Sequence, residues 1–431
     1  MPYWVKNRRR DWCGELEITL LNDSQTRALD DRLSINREPA GGIWGPPGTG
    51  KTFVAAHEAT RAVIENDERI LVCAYENTTV DQTIRNIVRL LRSRYGWSQD
   101  VITRAVKRTG FIVRAASDLN PYSTRRRTDL ANARIVGTTL HSSYVTTGRM
   151  ILQEGSFDRI IMDESGQVTP QQAWIPVRLL RESDNVTMSV YGDDVQLTPI
   201  SPDFIPEKSV LRRLRTNNRE CIRMLNTTYR LNSPGVDMTS EIFYHGNLAA
   251  PREVKNRKLQ LDVSSSGKSI QSQYLSEAIA PENTLVYIGV KGKEIINGLS
   301  CDNHAQAMVV ADLCDEFLRI GINSSRISVI APYSAHVKTI RSVLNGTDIA
   351  SNTIHKMLGG ENDIIILATT RSNTSRNLGF MDQAELLNVA TSRQLMKLII
   401  VGDDGETFAE GSSTSKKIYN FISSKGCTLM G

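Results

Sequence analysis

Along this chain, short apolar runs alternate with longer amphipathic stretches. Apolar runs rich in β-branched residues fall at Arg69–Ala74, Ile135–Thr138, Arg159–Asp163 and Val186–Tyr191, preceded by a short one at Gly41–Trp44. A second series falls at Leu285–Ile288, Ile327–Ile330, Asp363–Leu367 and Leu398–Val401. Continuous runs of this kind predict parallel strands buried on both faces, because a solvated face would impose alternation. Between them, Phe53–Ile64, Thr83–Leu91 and Ala305–Leu318 predict crossover helices. The fold class that follows is α/β, with two successive parallel sheets. The expected boundary falls near Ile222 to Thr228, giving domains 1–222 and 223–431. The Ser-rich stretch Val263–Gln273 is expected to form an exposed loop.

Bulk properties narrow the class. A chain of 431 residues with 40% hydrophobic content can give two or three domains a packed core. No apolar run is long enough to span a membrane, and the basic Met1–Arg10 segment lacks the apolar centre of a secretory signal. The six cysteines (Cys13, Cys73, Cys221, Cys301, Cys314 and Cys427) form no CxxC pair, which argues against a disulfide framework or structural zinc. An intracellular, reducing and cytoplasmic setting is therefore expected. The net charge of +5 is mild, but its distribution is not: Arg85–Arg127 holds eleven basic and two acidic residues. Tyr95, Trp97 and Tyr122 lie among them, a mixture suited to a polyanion with stackable bases, or to a solvated helical face.

The strongest local signal is Gly45-Pro46-Pro47-Gly48-Thr49-Gly50-Lys51-Thr52, a GxxxxGK[ST] phosphate loop between a strand and a helix. Its glycines let backbone N–H groups turn toward phosphate oxygens, and the helix N-terminus adds a favourable dipole. Lys51 supplies charge to the β- and γ-phosphates, and Thr52 a hydroxyl for Mg²⁺. Downstream, 111 residues after Thr52, the apolar run Ile160-Ile161-Met162 ends in Asp163 and Glu164. Asp163 at the strand end suits Mg²⁺, and Glu164 suits activation of the water that attacks the γ-phosphate.

Several further segments, taken in order, resemble the successive motifs of superfamily 1 helicases. They are Asp163-Glu164-Ser165-Gly166-Gln167, Gly192-Asp193-Asp194-Val195-Gln196-Leu197-Thr198-Pro199, Tyr229-Arg230 and Leu387-Asn388-Val389-Ala390-Thr391-Ser392-Arg393. The branch they resemble most contains the up-frameshift helicase of nonsense-mediated decay, senataxin and the immunoglobulin mu-binding helicase. Val72-Cys73-Ala74 with Asn77 and Val80-Asp81-Gln82, and Ile242–Leu248, belong to the same pattern, so the resemblance runs from about Leu21 to Asp403.

That resemblance implies two tandem RecA-like P-loop NTPase domains with ATP and Mg²⁺ held in the cleft between them. By position, Gln25 matches an adenine-reading glutamine, Tyr229 a residue stacking on the base, and Glu361 an acid contacting the nucleotide. Gln196 and Arg230 match γ-phosphate sensors, and Arg393 an arginine finger. Nucleic-acid contacts are implied for Asn77, Thr138 and Thr139, and for Pro332, Tyr333, Ser334 and Thr353. Ser, Thr and Asn at strand ends also serve as turn and cap residues, which is the plainer reading of that set.

The implied activity is ATP-dependent 5′-to-3′ movement along single-stranded RNA or DNA, with unwinding of tailed duplexes. The expected motor acts as a monomer, with no membrane partner and any regulatory protein supplied in trans. Two other readings stand beside it: a nucleic-acid-stimulated ATPase that remodels protein complexes without unwinding, and a non-catalytic ATP-binding module. The sequence departs from the family pattern at Tyr75-Glu76, at Gln394-Leu395, and at Leu358, where a glutamine is usual. Only about twenty residues precede Leu21, so the β-barrel insertion and zinc-rich regulatory domain are expected to be absent. The helical insertion is expected to be reduced to roughly Asp118–Asn132.

Overall fold

A computed structural model describes residues 21–34, 38–98, 112–115, 123–124, 130, 132–144, 152–199, 209–260, 272–357 and 359–431. Leu358, the Arg125-Arg126-Arg127 triplet, most of the Asp118–Asn132 insertion and most of the Ser-rich Val263–Gln273 stretch lie outside the described residues. The chain divides into two compact units, Met1–Asn226 and Thr227–Gly431.

The first unit is built on a parallel sheet of eight strands. These are β1 (Ala40–Trp44), β2 (Ile70–Ala74), β3 (Ile112–Ala115), β4 (Ser123–Thr124), β5 (Ile135–Thr139), β6 (Arg159–Asp163), β7 (Thr187–Gly192) and β8 (Ile222–Met224). Their order is β4-β3-β5-β2-β6-β7-β1-β8. The apolar runs predicted as strands form its centre, and β2, β5 and β6 are buried along their whole length. Helix Asn77–Ser93 buries Val80, Ile84, Ile87, Leu90 and Leu91, the three-to-four spacing of an amphipathic helix. With Val54, Ala55 and Ala59 of helix Lys51–Asn66 and Ile43, Val72 and Ile161 of the sheet, they make the first core. β8 pairs in parallel with β1, carrying the chain back to the first sheet before the division at Asn226.

The strands of the second sheet are β9 (Leu285–Val290), β12 (Ile327–Ala331), β13 (Ala350–Thr353), β14 (Asn362–Ala368), β15 (Gln394–Asp403) and β16 (Cys427–Met430). Their order is β13-β12-β14-β15-β9-β16, again all parallel. Phe317, Leu313 and Val310 of helix His304–Arg319 pack with Val286, Ile288, Ile366 and Ile399 to form the second core. A separate antiparallel hairpin, β10 (Ile295–Asn297) with β11 (Ser300–Asp302), stands outside this sheet.

Candidate functional site

In a parallel sheet every strand ends on one edge, so residues that follow strand ends gather there. In register, Ala74 pairs with both Thr139 and Asp163, and Trp44 pairs with Gly192. The phosphate loop, the Asp163-Glu164 pair and the Gly192–Gln196 segment thus share the C-terminal edge of the first sheet.

The loop itself is tightly constrained. Gly48 and Gly50 adopt positive φ of 70° and 79°, which a side chain would strain. Gly50 opens helix Lys51–Asn66 with no side-chain cap, which suits the helix N-terminus to an anion. Gly45 N donates to Gly192 O at 2.9 Å, Thr49 Oγ1 to Pro46 O at 2.8 Å, and Lys51 Nζ to Gly45 O at 2.8 Å. The ammonium group of Lys51 is thereby held across the loop.

Gln25 sits beside this loop and is buried. Its Oε1 accepts from Asn22 N at 3.0 Å in a capping box, and its Nε2 donates to Thr49 O at 2.9 Å. The carboxamide that resembles an adenine reader therefore also ties the first helix to the phosphate loop.

Asp163 ends β6 fully buried. Its Oδ1 accepts from Glu164 N at 2.9 Å, while Oδ2 is buried with no hydrogen-bond partner. Burial and the neighbouring Glu164 charge push its carboxyl up to about 6, against the opposing effects of the Thr52 hydroxyl, the Glu164 amide and Lys51. A buried carboxylate oxygen left unpaired next to a threonine hydroxyl is the donor set a hard divalent cation takes. The residues present therefore fit Mg²⁺. Glu164 adopts a left-handed φ of 51°, a conformation costly for a side chain with Cβ. The bend turns the chain out of β6 directly after Asp163.

The next motif is locked to this one by backbone packing. Ser165 Oγ donates to Tyr191 O at 2.8 Å, and a Cβ on Gly166 would lie 2.4 Å from Asp193 O. The carboxylate of Asp193 accepts from Trp44 Nε1 at 3.0 Å, Val195 N at 3.2 Å and Gln196 Nε2 at 2.8 Å. Gln196 is thus coupled through Asp193 to the residue immediately before the phosphate loop. Asp194 is held by Arg215, whose guanidinium also lies 4.2 Å over the Trp44 ring.

Two further supports belong to no sequence motif. Glu58, two turns along the phosphate-loop helix, is fully buried and ion-paired with the equally buried Arg159 at the start of β6. Ser189 Oγ and the Tyr191 hydroxyl also donate to Glu58, and Arg159 Nε reaches Glu68 at 2.6 Å. This network fixes the helix against the sheet. A lone glutamate on an otherwise apolar helix face was the available signal. Trp44 is the other support, and the sequence marks it only as a strand residue.

In the second unit, Arg230 Nε donates to Glu361 Oε2 at 2.6 Å and Arg230 Nη1 to Ser392 O at 3.1 Å. Arg393 is buried, and its Nε donates to Val389 O at 3.0 Å. Arg230, Glu361 and Arg393 are thus neighbours, and Tyr229 beside them is exposed.

The strand-contact set divides. Pro332, Tyr333, Ser334 and Thr353 line a single cavity of about 390 Å³. Register explains the meeting: Thr353 of β13 pairs with Ala331 of β12, immediately before Pro332. In the first unit Asn77 is exposed at a helix start. Thr138 is a correction: it is fully buried, and its hydroxyl donates to Thr139 O, so its side chain has no surface to offer a strand. Thr139 Oγ1 in turn bonds Ser142, a turn-capping role.

Two family models, each described as an AAA domain, match residues 20–131 and 206–405. The chain is 28% identical to DNA polymerase alpha-associated DNA helicase A of Saccharomyces cerevisiae, over 89% of this chain and 65% of that protein. It is 27% identical to the Regulator of nonsense transcripts 1 homolog of Drosophila melanogaster, over 89% of this chain and 34% of that protein. It is 28% identical to RNA helicase Mov10l1 of Mus musculus, again over 89% and 34%. The chain thus spans about two thirds of the first of these relatives and a third of the other two. No helix among the described residues is long and apolar enough to cross a membrane. The chain belongs to the up-frameshift-like branch of the superfamily 1 helicases, built on tandem RecA-like α/β domains.

Proposed function

We propose that this chain hydrolyses ATP to drive 5′-to-3′ movement along single-stranded nucleic acid, unwinding duplexes that carry a single-stranded tail. The observation that carries the reading is the cluster at the edge of the first sheet: Lys51 braced across the phosphate loop, Thr52 beside Asp163, and Glu164 turned out of β6. Backbone N–H groups of Gly48–Gly50 and the helix start cradle the phosphates (Pro46 and Pro47 shape the loop without donating). Lys51 carries the charge that holds the β- and γ-phosphates. Mg²⁺ would be held by Thr52 and Asp163, and when bound it neutralises charge on the phosphate oxygens. Glu164 orients the attacking water and takes its proton. Gln196, coupled to Trp44 through Asp193, reports the γ-phosphate to the sheet edge.

Within the second unit, Arg230 and Arg393 are the cations suited to developing phosphoryl charge, Tyr229 is suited to stacking on a base, and Glu361 positions Arg230. Asn77, Thr139, Pro332, Tyr333, Ser334 and Thr353 grip the strand, with Thr138 supporting from beneath. RNA and DNA present the same phosphates to these groups, and the similar proteins include both a DNA helicase and an RNA helicase. Duplexes with a tail on one end only test the proposal. Unwinding should need a 5′ tail and ATP. A requirement for a 3′ tail contradicts the polarity, and ATP turnover without unwinding favours the protein-remodelling reading.

A further inference from the structure

The β10–β11 hairpin stands apart from the second sheet and carries Ile295, Ile296 and Leu299 in the open, Leu299 completely so. Scattered exposed apolar residues are ordinary on a protein surface. Here they sit on a hairpin fixed at both feet. At the first foot, Glu294 Oε2 accepts from Arg371 Nε at 2.8 Å, Ser372 N at 2.8 Å and Asn373 Nδ2 at 3.0 Å. At the second, Asp302 pairs with His336 Nδ1 at 2.9 Å and accepts from Thr339 Oγ1 at 2.7 Å, both on helix Ser334–Val343. Ser300 Oγ accepts from Ala335 N of the same helix at 3.2 Å.

The tip therefore holds a set place beside the cavity formed by Pro332, Tyr333, Ser334 and Thr353. Asn297, Leu299 and Ser300 line that cavity from the hairpin side, and His355 and Phe380 complete it. It is a wide, open depression of about 390 Å³ rather than an enclosed cavity, so a flat group can enter from solvent. Phe380 packs edge-to-face on Tyr333 with ring centroids 4.6 Å apart, which gives the cavity an aromatic wall. Asn297 and Ser334 add amide and hydroxyl groups.

We propose that this cavity seats one unstacked base of the single strand, with Leu299 packed against the base. The proposal rests on the strand-binding reading above. A base matches the lining in kind: flat apolar faces for Leu299 and the aromatic wall, and polar edges for Asn297 and Ser334. Wedging of apolar side chains against bases is a general means of gripping nucleic acid. The hairpin then contributes affinity that is blind to phosphate.

The test uses the full chain and two labelled oligonucleotides of equal length, one of thymidines and one abasic throughout, which keeps every phosphate. The variant is Leu299→Ser, at a side chain with no packing to lose. The natural chain should bind the thymidine strand more tightly than the abasic one. Leu299→Ser should weaken thymidine-strand binding by about three- to tenfold, leave abasic binding unchanged, and keep the slope of affinity against salt. Equal behaviour of variant and natural chain on both strands overturns the proposal. So does a variant that binds strands normally but loses self-association in sedimentation, since the tip is then a protein-contact surface. A natural chain that binds neither strand overturns the strand-binding reading, and the base pocket with it.

Discussion

Replacing Gln25 with alanine separates two roles that the structure places on one carboxamide. Its Oε1 closes the capping box with Asn22 N at 3.0 Å, and its Nε2 holds Thr49 O of the phosphate loop at 2.9 Å. Each bond is worth about 0.5–1.5 kcal/mol net, and Gln25 is buried, so water does not replace the lost partner readily. Loss of the capping half acts on folding, and about 1 kcal/mol lowers the melting temperature of a unit this size by roughly 2–4 °C. Loss of the Thr49 half loosens the phosphate loop, and the same energy raises KM by about two- to tenfold. The phosphate loop is shared by every nucleoside triphosphate, so KM for GTP should rise in step with KM for ATP. The amide still has a second N–H and a second lone pair, enough to meet an adenine edge. An added, ATP-only rise would be the mark of that contact. Steady-state kinetics with both nucleotides and a thermal melt decide the matter. A Gln25→Ala chain whose KM for GTP and melting temperature stay unchanged refutes the bracing role.

Other perturbations probe the supports. Arg159→Met should cost about 3–5 kcal/mol in urea unfolding, because it strands the fully buried Glu58 carboxylate; adding Glu58→Gln should recover much of it, and a neutral single mutant would contradict the buried pair. Burial, with Arg94 and Arg61 nearby, pushes His57 on the phosphate-loop helix down to about 4 from an unfolded value near 6.5. The unfolded chain therefore binds the proton first, and stability present above pH 6.5 is lost as pH falls toward 4. His57→Leu should flatten that part of a melting-temperature profile, and an unaltered slope would remove His57 from the account. Lys51→Ala should abolish ATP turnover measured by phosphate release; residual turnover near the natural rate would mean that the charge on the loop is not needed.

The strands that sequence located well are the ones buried on both faces, such as Ile70–Ala74 and Ile327–Ala331, whose apolar runs have no other stable place. Those it passed over are edge or short strands. β13 reads Ala-Ser-Asn-Thr, β8 has three residues, and β16 alternates half-buried with exposed positions, so none carries a continuous apolar signal. Lys397 shows another limit. A lysine inside Leu395–Val401 suggests a solvated position, yet its ammonium is buried, donating to the carbonyls of Ala278, Ala280 and Asn283. Those acceptors come from more than a hundred residues away, where no local pattern reaches. The nucleotide motifs were legible because phosphate chemistry fixes residue types at short spacing. The hairpin at Ile295–Asp302 was not, since its anchors, Glu294 with Arg371 and Asp302 with His336, are set by tertiary contact alone.

The role proposed for Glu164 is to activate water for a reaction coupled to a nucleic-acid strand. The direct measurement is ATP turnover by the full chain, titrated with a single-stranded oligonucleotide, for the natural sequence and for Glu164→Gln. The natural chain should turn over faster as the strand is added. Glu164→Gln should still bind ATP but hydrolyse it roughly 10²–10⁴-fold more slowly, since general-base catalysis is worth about that factor. Turnover by Glu164→Gln at the natural rate, or turnover by the natural chain indifferent to the strand, would contradict the account.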